Sequence, residues 1–194
     1  MSTKYILIGG YVRKTADGGK AFCEELVKGF VEPVRILDCL FAEPEEIWKE
    51  KLANDKTLFA IYLPDKKLEI QLASPNKFIE QVQWANAIYL RGGETAKLIS
   101  TLKQSKGWSD VLKGKTLAGT SAGANAIAKY YYSLDKLTVG EGLGLLPIKV
   151  LIHYRSDYNA LHIDWDKAYS ELRNHKENLP VLALREGEFK IIEK

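Results

Sequence analysis

Residues 116–126 read TLAGTSAGANA. An apolar run closes on Gly119, a serine stands at position 121, and Gly123 opens a stretch of small residues. The spacing G-x-S-x-G marks a sharp strand-to-helix turn, because glycines two before and two after the serine let the chain fold tightly and lift the hydroxyl out of the end of a sheet. The same small residues also arise where a helix packs close under a sheet. What the rest of the chain brings to Ser121 decides between a nucleophile and a serine in a turn.

Upstream, Tyr5-Ile6-Leu7-Ile8 is a continuous apolar run stopped by Gly9-Gly10, the pattern of a strand buried on both faces. Phe22, Leu26 and Phe30 recur at helical spacing, and Pro33 separates them from a second strand, Val34 to Leu37. Pro44 heads a helix with Ile47, Trp48 and Leu52, and Leu58 to Leu63, closed by Pro64, reads as a strand. Leu68 to Leu72 alternates like a short edge strand, and Ser74-Pro75 starts a helix with Phe78, Ile79 and Val82 on one face. Ala87 to Leu90 is the next strand, ending in Arg91-Gly92-Gly93, and Thr95, Leu98, Ile99 and Leu102 form the stripe of the helix behind it.

Beyond the serine, residues 130–139 are aromatic and β-prone, and Ile148 to Ile152 is a strand ending at His153. Trp165, Ala168, Tyr169 and Leu172 mark a last helix capped by Asp164. Val181 to Leu184 and Phe189 to Ile192, joined by Arg185-Glu186-Gly187-Glu188, read as a closing hairpin. With no repeat, linker or low-complexity tract, this order predicts one α/β domain over residues 1–194, with a mainly parallel sheet and an antiparallel finish.

Composition narrows the function. At 194 residues the chain can build a core without staples, and its net charge of +3 is spread without a basic run, which argues against nucleic acid as a partner. Cys23 and Cys39 are isolated, which fits reduced thiols in a cytoplasmic protein and gives no metal-ligand spacing. The N-terminal apolar stretch is too short for a signal peptide, and no segment is long enough to span a membrane. Gly9-Gly10 and Gly18-Gly19 complete no phosphate-binding pattern.

Ligands of open α/β sheets bind at the C-terminal ends of the strands. Gly92-Gly93, Ser121 and His153 all fall on such ends. Acyl transfer by a serine needs a base, a group that orients the base, and N–H donors for the oxyanion. His153 is the candidate base, since His175 sits near the end of the last helix and His162 fits a loop or packing role. The N–H groups of Gly93 and Ala122 are the candidate oxyanion donors. For the acidic member Asp135 is favoured, with Glu141 and Asp157 as rivals.

Taken together, GTSAGANA, RGGETAKLI, GEGLGLLPIKVLIHY and LREGEFKII resemble the serine peptidase family of aspartyl dipeptidase (peptidase E) and cyanophycinase. The resemblance implies a three-layer α/β/α, flavodoxin-like domain of the class I glutamine amidotransferase type. It also implies a cofactor-free peptidase acting on a small peptide, such as a dipeptide with N-terminal aspartate, with Ser121 as nucleophile, His153 as base and Gly93 with Ala122 as oxyanion donors. Gly92 falls in its substrate-binding loop. Arg155 and Arg173 are the candidates for meeting a substrate carboxylate, with Arg155 preferred because an extended chain would turn it to the same side as His153. Glu94-Thr95 stands where the family commonly has Asn-Thr. A homodimer is the assembly left open, and the competing functions are a non-catalytic ligand-binding domain and a small esterase.

Overall fold

The computed structural model describes residues 2–157 and 163–194. A six-stranded sheet carries β1 (Lys4–Ile8), β2 (Val34–Cys39), β3 (Leu68–Leu72), β4 (Ala87–Leu90), β5 (Thr116–Thr120) and β10 (Phe189–Glu193) in the order β10-β1-β5-β4-β2-β3. All its neighbours run parallel except β10, which is antiparallel to β1. A second, four-stranded sheet holds β6 (Ala128–Ser133), β7 (Thr138–Glu141), β8 (Leu146–Leu151) and β9 (Val181–Ala183) in the order β7-β6-β8-β9.

The period-two alternation of buried strands sorts the core into two sides. Tyr5 and Leu7 of β1, with Leu37, Ile88, Leu90 and Leu117, pack on α3 (Phe78–Trp84), α4 (Thr95–Gln104) and α5 (Ala122–Ile127). Ile6 and Ile8, with Ile36, Tyr89 and Ala118, pack on α1 (Lys20–Val27) and α2 (Trp48–Tyr62). The result is an α/β/α arrangement around a mostly parallel sheet. The first of these cores continues into the second sheet through Tyr131, Leu146, Ile148 and Val150. The other face of that sheet is covered by α6 (Trp165–Asn174) through Ala168 and Leu172. Lys149 of β8 is fully buried, and its ammonium donates to the carbonyls of Arg173 at 2.7 Å and His175 at 2.6 Å, capping the C-terminal end of α6. No helix among the described residues is long and apolar enough to cross a membrane.

Two elements differ from the sequence reading. Residues 58–62 are the last turn of α2 and not a strand. Leu58 and Phe59 are buried while Ile61 is 61% exposed, so the apolar run follows a helix stripe in which Asp55 is a polar member at i−3 and i−4. The closing segments do not form a hairpin either. β9 lies parallel to β8 in the second sheet, whereas β10 crosses to the first sheet and pairs with β1.

Candidate active site

Ser121 sits between the end of β5 and the first residue of α5, with φ 51° and ψ −108°. That is costly backbone for a residue with a side chain, and neighbours hold it on both sides. Its N–H donates to the Ile8 carbonyl at 3.0 Å, and its carbonyl accepts from the Asn125 N–H at 3.0 Å. The flanking glycines are required by contact. A methyl group on Gly119 would stand 2.4 Å from the Gly123 carbonyl carbon, and one on Gly123 would stand 2.2 Å from the Leu90 carbonyl oxygen.

His153 follows β8, with φ 52° and 2% of its surface exposed. Its N–H donates to the Gly9 carbonyl at 2.8 Å. The imidazole Nε2 lies 3.1 Å from Ser121 Oγ, and Nδ1 lies 3.1 Å from Glu186 Oε1. A carboxylate at Nδ1 fixes the tautomer that leaves Nε2 free to accept the serine proton. The loop carrying Glu186 is pinned to the same place, since Gly187 N–H donates to the Gly10 carbonyl at 2.7 Å and Gly9 N–H to the Glu188 carbonyl at 3.0 Å. Gly9-Gly10 thereby ties together the segments that carry the histidine and the acid.

Electrostatics matches these contacts. Burial holds the His153 imidazole below its ordinary range, while the hydrogen bond and charge of Glu186 pull the other way. Burial pushes the Glu186 carboxyl up, but donation from Lys14 and His153 outweighs it and leaves the group below the usual carboxylate range. At neutral pH the line is therefore neutral imidazole beside ionised carboxylate, the state in which Nε2 accepts a proton.

Gly10 shows how tightly this is built. It has φ 133°, and a methyl group there would fall 2.1 Å from His153 Cε1. Gly10→Ala is expected to push the ring off Ser121 and lower hydrolysis by about a hundredfold or more, since displacements of about 1 Å cost that much. Steady-state kinetics on a variant with wild-type circular dichroism checks it; wild-type turnover would show that the ring tolerates the shift.

Gly92 and Gly93 bring the end of β4 alongside. A methyl group on Gly92 would stand 3.3 Å from Ser121 Cβ, and one on Gly93, at φ 132°, would stand 2.5 Å from the Ala42 carbonyl oxygen. Gly93 admits only the bare backbone and a methyl group on Gly92 would be tight, so the absence of side chains leaves room for a reacting carbonyl beside Ser121. Ala122 is the first residue of α5, so its N–H has no acceptor within the helix. Together these amides can serve a developing oxyanion.

Of the residues singled out from sequence, Ser121, His153, Gly92, Gly93 and Ala122 are brought together. Asp135 is not placed against His153: it is exposed in the turn between β6 and β7, bordering a narrow polar niche shared with Gly93, Ser121, Asn125 and Ser133. Glu141 pairs with Lys176, and Asp157 is exposed. The carboxylate on Nδ1 is Glu186 instead. β8 and β9 run parallel with Leu151 opposite Ala183, so the residues just beyond them leave the sheet side by side.

Arg155 also stands elsewhere. Positive φ at His153 and Arg155 turns the chain, and the guanidinium lies over the Tyr154 ring and 3.6 Å from Asp166. Arg173 is exposed on α6. The cations near Ser121 are others. A cavity of about 600 Å³ opens from Ser121 and His153, and Arg13, Lys14, Lys51 and Arg91 line it, against the carboxylates of Glu43 and Asp55. Sequence reading missed Glu186 and these cations; His162 lies outside the described residues.

No curated protein matches the chain. Among solved structures, a peptidase from an acI-B1 Actinobacterium superposes with a TM-score of 0.70 at 22% identity, covering 99% of this chain and 84% of that one. A peptidase E-type protein of Listeria monocytogenes EGD-e superposes with a TM-score of 0.67 at 17% identity, covering 100% and 98%. At such identities the likeness shows the fold. The model of peptidase family S51 matches residues 52–194, a span that holds the elbow, His153 and Glu186. With nearly three quarters of its length in that match, the chain belongs to peptidase family S51.

Proposed function

We propose that this peptidase is a serine enzyme that cleaves short peptides through an acyl-enzyme on Ser121. The observation that carries the reading is the continuous line from Ser121 Oγ through the His153 ring to Glu186, with both links at 3.1 Å. In the first half of the reaction Ser121 Oγ attacks the peptide carbonyl while its proton passes to His153 Nε2. The amides of Gly93 and Ala122 receive the oxyanion. His153 then returns the proton to the leaving amine, which departs and leaves the ester on Ser121. Water, deprotonated by the same nitrogen, hydrolyses the ester and restores the serine.

Two features favour a short peptide with free ends. The niche that shares Gly93 and Ser121 with the cavity presents acceptors: Asp135, and Asn125 Oδ1, which is buried and unpaired among the described residues. Acceptors there suit a substrate α-ammonium. The larger cavity, with four cations against two carboxylates, suits an acidic group, in keeping with an N-terminal aspartate.

The test is labelling of the intact protein with a fluorophosphonate, peptide mapping, and hydrolysis of Asp-Leu and Ala-Leu side by side. Modification at Ser121 and faster release of leucine from Asp-Leu are expected. An unlabelled Ser121 in a protein that still hydrolyses either dipeptide would sink the mechanism. Asp135→Ala is expected to raise KM for free-amine dipeptides about fivefold, the scale of a solvent-exposed ion pair, and to leave N-acetylated substrates unchanged. An equal effect on both would remove Asp135 from amine recognition.

A further inference from the structure

Beneath the cavity lies a polar group that the Ser121 line does not use. Asp38, near the end of β2, is fully buried, and neither of its carboxyl oxygens has a hydrogen-bond donor. Asp55 of α2 is 3% exposed, and its Oδ2 lies 3.0 Å from Arg91 Nε in an ion pair too poorly aligned to count as a hydrogen bond. Arg91 also donates from Nη1 to the Tyr89 hydroxyl at 3.0 Å, which bonds Thr120 Oγ1 at 2.8 Å. The network thus joins the residue before Gly92 to the residue before Ser121.

Charge balance constrains it. Asp38 and Asp55 are both buried and both act on the Arg91 guanidinium, so ionising the two together would leave a poorly compensated anion in the interior. A proton on Asp38 removes the problem: as an acid it donates to Asp55, and Asp55 alone carries the charge opposite Arg91. We propose that Asp38 is a carboxylic acid that donates to Asp55, and that the pair holds Arg91 as the group receiving a substrate carboxylate in the cavity.

Burial drives the Asp38 carboxyl well above the carboxylate range, the charge of Asp55 adds to this, and Arg91 opposes it. Other titratable groups face the pair. From β4, burial pushes the Tyr89 hydroxyl up to about 12. From α1, burial pushes the Cys23 thiol up to about 12. Cys39, beside Asp38 on β2, is pushed up further. From the cavity wall, Arg13 and Lys51 draw the Asp55 carboxyl down. Arg91, Gly92 and Ser121 line the same cavity, so a carboxylate held on the guanidinium lies within a short peptide's reach of the scissile bond. Two carboxylates fit: the side chain of an acidic first residue, or the free C-terminus of the leaving residue.

This rests on the peptidase reading for the nature of its ligand, and binding tests it apart from turnover. Dissociation constants are measured by calorimetry on Ser121→Ala protein for Asp-Leu, Asp-Leu-amide, Ala-Leu and Ala-Leu-amide. Adding Arg91→Met is expected to weaken whichever ligands carry the recognised carboxylate about ten- to a hundredfold and to spare those without it. Loss confined to the Asp peptides identifies the side chain; loss confined to the free acids identifies the C-terminus. The affinity of a ligand with the recognised carboxylate, relative to its partner without it, should fall at alkaline pH as Asp38 ionises and a second anion competes for Arg91. Asp38→Asn, whose amide replaces the acid as donor to Asp55, should keep the affinity and lessen that fall. Equal weakening of all four ligands by Arg91→Met, or an unchanged alkaline fall in Asp38→Asn, would overturn the proposal. If the binding pattern holds while the protein with Ser121 intact hydrolyses no peptide, the proposed function fails and the Arg91 site stands.

Discussion

Ser121→Ala is expected to lower peptide hydrolysis on the order of 10⁶-fold, the scale seen when a serine nucleophile is removed from a working triad. The fold should survive, because the backbone bonds to Ile8 and Asn125 do not involve the side chain. Only the Oγ contact with His153 is lost, a change of about 1 kcal/mol. Ser121→Gly sharpens the argument. At φ 51° and ψ −108° a side chain is strained, and glycine is not. The glycine variant should therefore be as inactive as the alanine variant yet more stable by about 1 kcal/mol, even after glycine's greater loss of chain entropy. Chemical denaturation of both variants, beside turnover measurements, checks the pair. Residual hydrolysis within tenfold of wild type would remove Ser121 from the mechanism, and a glycine variant less stable than the alanine one would show that the elbow stores no strain.

Much of the fold was legible because buried parallel strands write themselves as apolar runs stopped by glycine, as in Tyr5 to Gly10 and Leu117 to Gly119. The failures came where one local pattern served two structures. Leu58 to Leu63 is apolar enough for a strand, and only the exposure of Ile61 and burial of Asp55 show that it continues a helix begun at Trp48. A buried aspartate in a helix stripe has no period-based signature, so the clue to the helix was also the clue to the network under the cavity. Likewise, two short apolar segments around Arg185-Glu186-Gly187-Glu188 look like a hairpin, and nothing local tells that they part to join different sheets.

That last error hid the acid on His153. Ser121 and His153 were readable because each ends its own strand. Glu186 was readable only through the pairing of β8 with β9, a long-range fact that puts the turn after β9 beside the turn after β8. The misplacement of Arg155 has the same character, since the extended-chain argument assumed that β8 runs on past His153, whereas positive φ at His153 and Arg155 bends it away. Tight turns at residues other than glycine carry no sequence warning.

The relay from His153 to Glu186 yields the second large effect. His153→Ala should lower turnover nearly as far as Ser121→Ala, on the order of 10⁶-fold, because a serine hydroxyl without a base is a poor nucleophile. Glu186→Ala should cost less, on the order of 10⁴-fold, since the imidazole remains but loses its orientation and the charge that favours its protonated form. Asp135→Ala should leave turnover close to wild type at saturating substrate, and this separates the two candidate acids. The pH profile adds a sign. Activity requires neutral His153, whose range burial depresses, so the acid limb of kcat/KM should fall below the free-histidine value of about 6.5. Glu186 raises that range, so its removal should move the limb to still lower pH in whatever activity remains. Profiles of wild type and Glu186→Gln measured over the same buffers decide it. A limb that moves up in the variant, or a full loss of turnover in Asp135→Ala with Glu186→Ala unaffected, would mean that the carboxylate on Nδ1 in the working enzyme is not Glu186.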